Sequence, residues 1–194
     1  MKKLLPQPIG PEKVIFKGKL IEIVEQKIKA GDYEYTLEMA KVKKIPEKEL
    51  KKGVDYIGVT CVFFCHDGKG NLLMHKRSQN CRDERGHWDV GGGSLEFGES
   101  FEEGVTREIK EEYCCDVLDL KFVDVKNVLR VNHNNKKTHW IALLFAAHID
   151  PSQVKIGEPE AIEELGWFTE KNWPEPIHSY FHSCYEIVKT HLIP

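Results

Sequence analysis

Residues Gly93 to Cys115, reading GSLEFGESFEEGVTREIKEEYCC, constrain this chain more than any other stretch. Their densest part is Arg107-Glu108-Ile109-Lys110-Glu111-Glu112. On a helix, at roughly 100° per residue, Glu108, Glu111 and Glu112 fall within an arc of about 100°. Carboxylates gathered on one face repel one another by roughly a few tenths of a kcal/mol per pair. Stability alone gives no reason to gather them. A bound divalent cation removes the penalty and turns the face into a hard-oxygen site. The competing reading of such a run is a solvated acidic helix face. The helix is signalled at its start by Ser100-Phe101-Glu102-Glu103, a capping box with Ser100 as N-cap. Phe101, Val105, Ile109 and Tyr113 then recur at every fourth position and predict an apolar stripe beside the acidic one. The carboxylates are therefore expected at the edge of a core, where a cation's charge counts for more. Gly104 lies one turn before Glu108 and is expected to leave room for a ligand. Gly91-Gly92-Gly93 reads as a loop whose backbone can approach a ligand closely.

This stretch resembles the signature of the Nudix hydrolase family: Gly, five residues, Glu, seven residues, Arg-Glu, an aliphatic residue, any residue, Glu-Glu, any residue, Gly, aliphatic. Gly93, Glu99, Arg107, Glu108, Ile109, Glu111 and Glu112 match it in register. Three positions depart from the pattern. Cys114 stands where the family usually has Gly, Cys115 where it has an aliphatic residue, and Gly91 where a proline is common. These departures bear on the loop and on the helix end, and every carboxylate remains.

Composition narrows the remaining classes. A chain of 194 residues favours one domain, or one domain with an extension. Its 41% hydrophobic and 30% charged residues are ordinary for a soluble globular protein. A net charge of −3 speaks against an electrostatic nucleic-acid binder. Cys61, Cys65, Cys81, Cys114, Cys115 and Cys184 form no CxxC pair, and free thiols in a reducing cytoplasm are the simpler reading. The opening MKKLLPQPIG meets proline before any apolar segment forms, so it does not read as a signal peptide. The longest apolar run, Trp140 to Ala147, is too short to span a bilayer. A cytoplasmic protein with neither nucleic-acid nor membrane partners is expected.

Along the chain, residues 13–28 and 33–43 mix β-branched residues with alternating charge around a turn at Gly31-Asp32, predicting a hairpin or three short strands. The pattern resembles the N-terminal sheet extension of ADP-sugar-cleaving Nudix enzymes, which often serves dimerisation. Ile15, Ile21, Ile23, Ile28, Tyr35, Leu37 and Met39 supply apolar surface that a second copy would cover, so a homodimer through residues 1–45 is expected, with packing back onto the chain's own core domain as the competing reading. Residues 41–52, broken by Pro46, read as a charged linker. The expected division is therefore 1–52, extension and linker, and 53–194, the Nudix hydrolase domain. Tyr56 to Cys65 reads as a buried strand, Asp67 to Gly70 as a hairpin turn, and Asn71 to Lys76 as the return strand. Trp88 to Val90 is a short strand feeding the glycines. Leu118 to Val131 and Thr138 to Ile149 are strands joined at an Asn-rich tip, and Glu163 to Phe168 is the last strand. Pro176 is expected to open a C-terminal helix. The resemblance implies an α/β (α+β) fold, an α/β/α sandwich around a mixed β-sheet, with the N-terminal β extension added.

The family cleaves a nucleoside diphosphate linked to another moiety, and the resemblance assigns roles accordingly. Gly92 (through its carbonyl), Glu108, Glu111 and Glu112 would bind Mg²⁺, with Mn²⁺ able to substitute. The general base would be Glu111 or Glu163. Arg107 would pair with Glu99 and hold the glycine segment against the helix. Arg77 and Gly93 are candidates to contact substrate, although an exposed strand-end arginine is as common a reading of Arg77. Trp88, Phe97 and Trp167 are read as core residues before stacking platforms. His178 and His182 lack a plausible set of further zinc ligands, and Cys114-Cys115 reads as two small buried residues at a helix end. The implied product is a nucleoside monophosphate, released from a nucleoside triphosphate or from an ADP-sugar such as ADP-ribose. The alternative is a non-catalytic Nudix-like ligand-sensing or protein-binding module. Such modules usually lose box carboxylates, and this chain keeps them.

Overall fold

A computed structural model describes residues 13–16, 19–30, 33–44, 50–132 and 135–192, with the backbone alone for 13–44. The chain divides into two compact units, Met1–Lys51 and Lys52–Pro194. In the first, β1 (Lys13–Phe16), β2 (Lys19–Ala30) and β3 (Tyr33–Lys44) form an antiparallel sheet in that order. The turn at Gly31-Asp32, the linker around Pro46, part of the Asn-rich tip at His133-Asn134, and the side chains invoked for dimerisation lie outside the described residues.

The second unit is built on β4 (Gly58–His66), β5 (Leu72–Arg77), β6 (Trp88–Asp89), β7 (Gly91–Ser94), β8 (Val117–Val131), β9 (Lys137–Ile149) and β10 (Ile162–Phe168). These strands form one mixed sheet in the order β10-β5-β4-β9-β8, with β6 on β5 and β7 on β4. β4 and β9 run parallel, and the other pairs are antiparallel. Alternation along the strands sends successive residues to opposite faces. Phe63, Leu143 and Phe145 face α1 (Phe101–Tyr113), whereas Phe64, Leu144 and Ala146 face α2 (Phe181–Val188). The result is the helix, sheet, helix sandwich that the resemblance implied.

α1 begins at the capping box: Ser100 accepts the Glu103 N–H and the Glu103 carboxylate accepts the Ser100 N–H. Val105, Ile109 and Tyr113 are fully buried, each contributing about 1.5–3 kcal/mol. Phe101, expected in that stripe, is exposed. The helix ends at Cys114 in the left-handed region, φ 57°. Cys114 is exposed there and only Cys115 is buried, which corrects the expectation of two buried cysteines.

Two other expectations are corrected. The glycine run forms strand β7, paired with Thr60 to Phe63 of β4. The C-terminal helix starts at Phe181, well after Pro176. Residues 176–178 first pair with β6: Trp88 N–H donates to the Pro176 carbonyl, and His178 N–H to the Trp88 carbonyl. α2 is followed by a 3₁₀ turn, Lys189–His191. Among the described residues no helix is long and apolar enough to cross a membrane.

Candidate active site

The sheet forks. β4 and β5 pair only at His66 with Leu72, after which β4 takes β7 and β5 takes β6. A cavity of about 460 Å³ lies in this fork, lined among others by His75, Arg77, Asp89 and Gly91 to Gly93. Glu112 of α1 and Glu158 of the β9–β10 connection also line it.

Arg107 organises the helix side. Its Nε lies 2.7 Å from Glu99 Oε1, and its Nη1 lies 2.9 Å from both Glu108 Oε1 and Glu111 Oε2. Its Nη2 donates to Glu99 Oε2 at 3.1 Å and to the Ser94 carbonyl at 3.3 Å. One guanidinium thus ties strand β7, the loop before α1 and two helix carboxylates together, the fork geometry that favours Arg over Lys. Its hydrogen bonds hold the Glu99 carboxyl down at about 2. Gly104 admits this loop: a Cβ there would meet Leu95 Cδ1 at 2.7 Å and Glu99 Oε2 at 3.2 Å. The space expected for a ligand is filled by the chain itself. Gly93 passes so close to the helix that a Cβ would fall 1.9 Å from Glu108 Cδ.

The three helix carboxylates occupy different surroundings. Glu111 is half exposed. Glu108 is largely covered, and burial pushes its carboxyl up against the pull of Arg107. Glu112 is buried, with only 6% of its surface exposed. Burial raises its carboxyl well above the ordinary range, Glu108, Glu158 and Asp89 add to this, and the Gly92 N–H opposes it. That N–H donates to Glu112 Oε1 at 3.4 Å, while Oε2 is buried with no hydrogen-bond partner. A buried orphan carboxylate oxygen costs about 1–3 kcal/mol or more unless something positive approaches it.

A family model described as NUDIX domain matches residues 56–181. The chain belongs to the NUDIX domain family. It is 26% identical over 135 residues to the 8-oxo-dGDP phosphatase NUDT18 of Mus musculus, covering 68% of this chain and 37% of that protein. The chain spans about a third of the length of the curated relatives it matches. Among solved structures, a MutT NUDIX hydrolase from Burkholderia pseudomallei is 28% identical with a TM-score of 0.60, covering 69% of this chain and 98% of that one. A MutT protein from Methanosarcina mazei Go1 is 25% identical with a TM-score of 0.57, covering 70% and 94%.

Within this Nudix domain the sequence-predicted residues are not all brought together. Gly92, Gly93, Glu99, Arg107, Glu108, Glu111 and Glu112 form one cluster where β7 meets α1. Arg77 lines the cavity but spends its guanidinium on Asp83, at 3.0 Å, and Asp89, at 3.5 Å. Glu163 lies elsewhere on β10, accepting the Gln79 N–H at 3.2 Å with Lys76 Nζ at 3.9 Å. The acidic residue that the β9–β10 connection delivers to the cavity is Glu158, which sequence reasoning passed over. Trp88 and Trp167 pack in the two cores, whereas Phe97 is fully exposed at the tip of the β7–α1 loop.

The chemistry of these donors suits a divalent cation. The donors are hard oxygens, and the unpartnered Glu112 Oε2 needs a positive neighbour. As the side chains stand, Arg107 takes up oxygens of Glu108 and Glu111. Among the described residues no three His, Cys, Asp or Glu side chains converge tightly enough to grip an ion.

Proposed function

We propose that this chain is a divalent-cation-dependent pyrophosphohydrolase. Its substrate is a nucleoside diphosphate linked to another moiety, a nucleoside triphosphate or an ADP-sugar such as ADP-ribose. One observation carries this reading: a buried, unsatisfied Glu112 carboxylate on the wall of the forked-sheet cavity, beside the Gly91 to Gly93 backbone. A fold that keeps such a group without using it gives up stability for nothing.

Glu108, Glu111, Glu112 and the Gly92 carbonyl would hold Mg²⁺ or Mn²⁺, a bound cation supplying charge neutralisation at the diphosphate and a more acidic water. Strand β7 brings its backbone close to the phosphates at Gly93, with Arg77 on the cavity wall beside them. Arg107 and Glu99 fix β7 against the helix and do not touch substrate. A water oxygen bonds to phosphorus, the anhydride P–O bond breaks with its electron pair leaving on the bridging oxygen, and a carboxylate takes the water's proton. Glu111, Glu163 and Glu158 are the carboxylates available for that last role, and Glu158 has the placement that suits it. In a direct comparison, Glu158→Gln is expected to lower kcat by about a hundredfold and Glu163→Gln by less than about threefold. The reverse order would return the role to Glu163.

The reading is tested by incubating the folded protein with nucleoside triphosphates, ADP-ribose, NADH and dinucleoside polyphosphates, each with Mg²⁺ or Mn²⁺, and measuring phosphate-containing products. Metal-dependent release of a nucleoside monophosphate is the expected result. Silence across the panel would favour a binding module.

A further inference from the structure

The outer edge of the main sheet carries an unused pairing surface. β8 is the last strand in the order β10-β5-β4-β9-β8, so its second edge has no strand partner among the described residues. It is 15 residues long, and an edge of that length normally needs covering or breaking up. Its register against β9 shifts between Val117 and Asp119 and again between Phe122 and Asp124. Between these shifts Asp119 to Phe122 pairs residue for residue with β9, which leaves a regular outer edge there. Large apolar side chains flank it in solvent: Leu118 is 59% exposed and Phe122 46%.

The segment Val117-Leu118-Asp119-Leu120-Lys121-Phe122-Val123 has a near two-fold pattern. Read from either end, its chemical classes repeat, except that charge inverts about Leu120. Antiparallel pairing of two such strands about Leu120 sets position 118 opposite 122 and position 119 opposite 121. Asp119 then faces Lys121 of the second copy, and Lys121 faces its Asp119. Both Asp119 and Lys121 are exposed, and neither makes an ion pair with a described residue. At the end of the segment Asp116 is already neutralised by Lys110 Nζ at 2.7 Å. A slip of the two-fold onto Phe122 would set Asp119 and Lys121 against Val125 and Val123 and lose both charge pairs.

We propose that β8 is a self-association edge, whose partner is β8 of a second copy of this chain, paired antiparallel about Leu120. It is an isologous contact, with each copy supplying the same surface. It uses residues of the second unit alone and does not depend on residues 1–45.

A charge-reversal cycle on the full chain tests this. Sedimentation velocity over a concentration series is run on the wild type, Asp119→Lys, Lys121→Asp and the double variant, with circular dichroism to confirm folding. The wild type is expected to dimerise. Either single variant sets like charges against each other at both symmetry-related pairs and weakens the dimer by about tenfold or more. The double variant restores opposite charges and is expected to return to within about threefold of wild type. A wild type that stays monomeric at its highest soluble concentration would overturn the proposal. A dimer indifferent to both reversals, or a double variant no better than the singles, would overturn it equally.

Discussion

Glu112→Gln is expected to lower turnover by about a thousandfold while leaving the metal-free protein at least as stable as the wild type. The substitution keeps the size of the side chain and removes its charge. Burial raises the Glu112 carboxyl above its ordinary value, so the folded chain holds this proton more tightly than the unfolded chain does. The sign follows from that. The group's contribution to stability is complete below the ordinary carboxylate range and is lost as pH rises from there through the raised folded value. Each unit of elevation corresponds to about 1.4 kcal/mol. Glutamine has no such loss, so denaturant unfolding with a chelator present should show the variant gaining on the wild type as pH is raised. Saturating Mg²⁺ should reverse the order, because a ligand at a hundred times its Kd adds about 2.7 kcal/mol to the protein that binds it. A large fall in metal-free stability would make Glu112 a structural residue and would sink the metal-site assignment.

Arg107→Ala is expected to damage fold and turnover together, with kcat down by about a hundredfold and Tm down by roughly 4–8 °C. The guanidinium bonds to Glu99, Glu108, Glu111 and the Ser94 carbonyl. Alanine leaves three carboxylates facing one another and releases β7 from the helix. The Glu99 carboxyl offers a separate readout. Arg107 holds it at about 2, so its share of stability is present above the ordinary carboxylate range and is lost as pH falls toward that value. In the variant the Glu99 titration, followed by carboxyl NMR, should move back up toward the ordinary range. Arg107→Lys should recover part of the Tm and little of the kcat, since an ammonium cannot span the same partners. A variant with normal kcat and an unmoved Glu99 would show that the guanidinium organises nothing.

Much of this architecture was legible in local spacing. The capping box at Ser100 and Glu103 and the stripe of Val105, Ile109 and Tyr113 are set by residues within one or two turns of each other. Strands β4, β5, β8 and β9 were recognisable for a similar reason, since alternation or a continuous apolar run marks a pleated segment. The ion pair of Arg107 with Glu99 came from the family signature. The missed features depend on contacts between distant segments. The glycine run could be a loop or a strand until β4 is laid beside it. Helical potential in 176–180 lost to pairing with Trp88. Glu158 and Glu163 sit in one acidic stretch, GEPEAIEEL, and nothing within that stretch says which of them turns toward Glu112. Only the seating of the loop on the helix end decides it.

That seating has a consequence for how the cavity can diverge. The Lys155 N–H donates to the Tyr113 carbonyl at 3.0 Å and the Gly157 N–H to the Glu112 carbonyl at 2.8 Å. These are two carbonyls that the end of α1 leaves without partners inside the helix. The segment carrying Glu158 therefore completes α1 and is tied to the backbone of Glu112 and of its neighbour Tyr113. Insertions or substitutions at 155–158 would disturb helix and loop as one piece. Across the cavity, the loop after β5 is held differently. Arg77 and Arg130 grip Asp83 and Glu84 through side chains, while at the base of the loop the Ser78 N–H donates to the Ala161 carbonyl at 2.8 Å. The two walls thus differ in evolvability: residues 155–157 are locked to the helix that bears the carboxylates, while the tip at 83–84 hangs on side chains and can change without touching that helix.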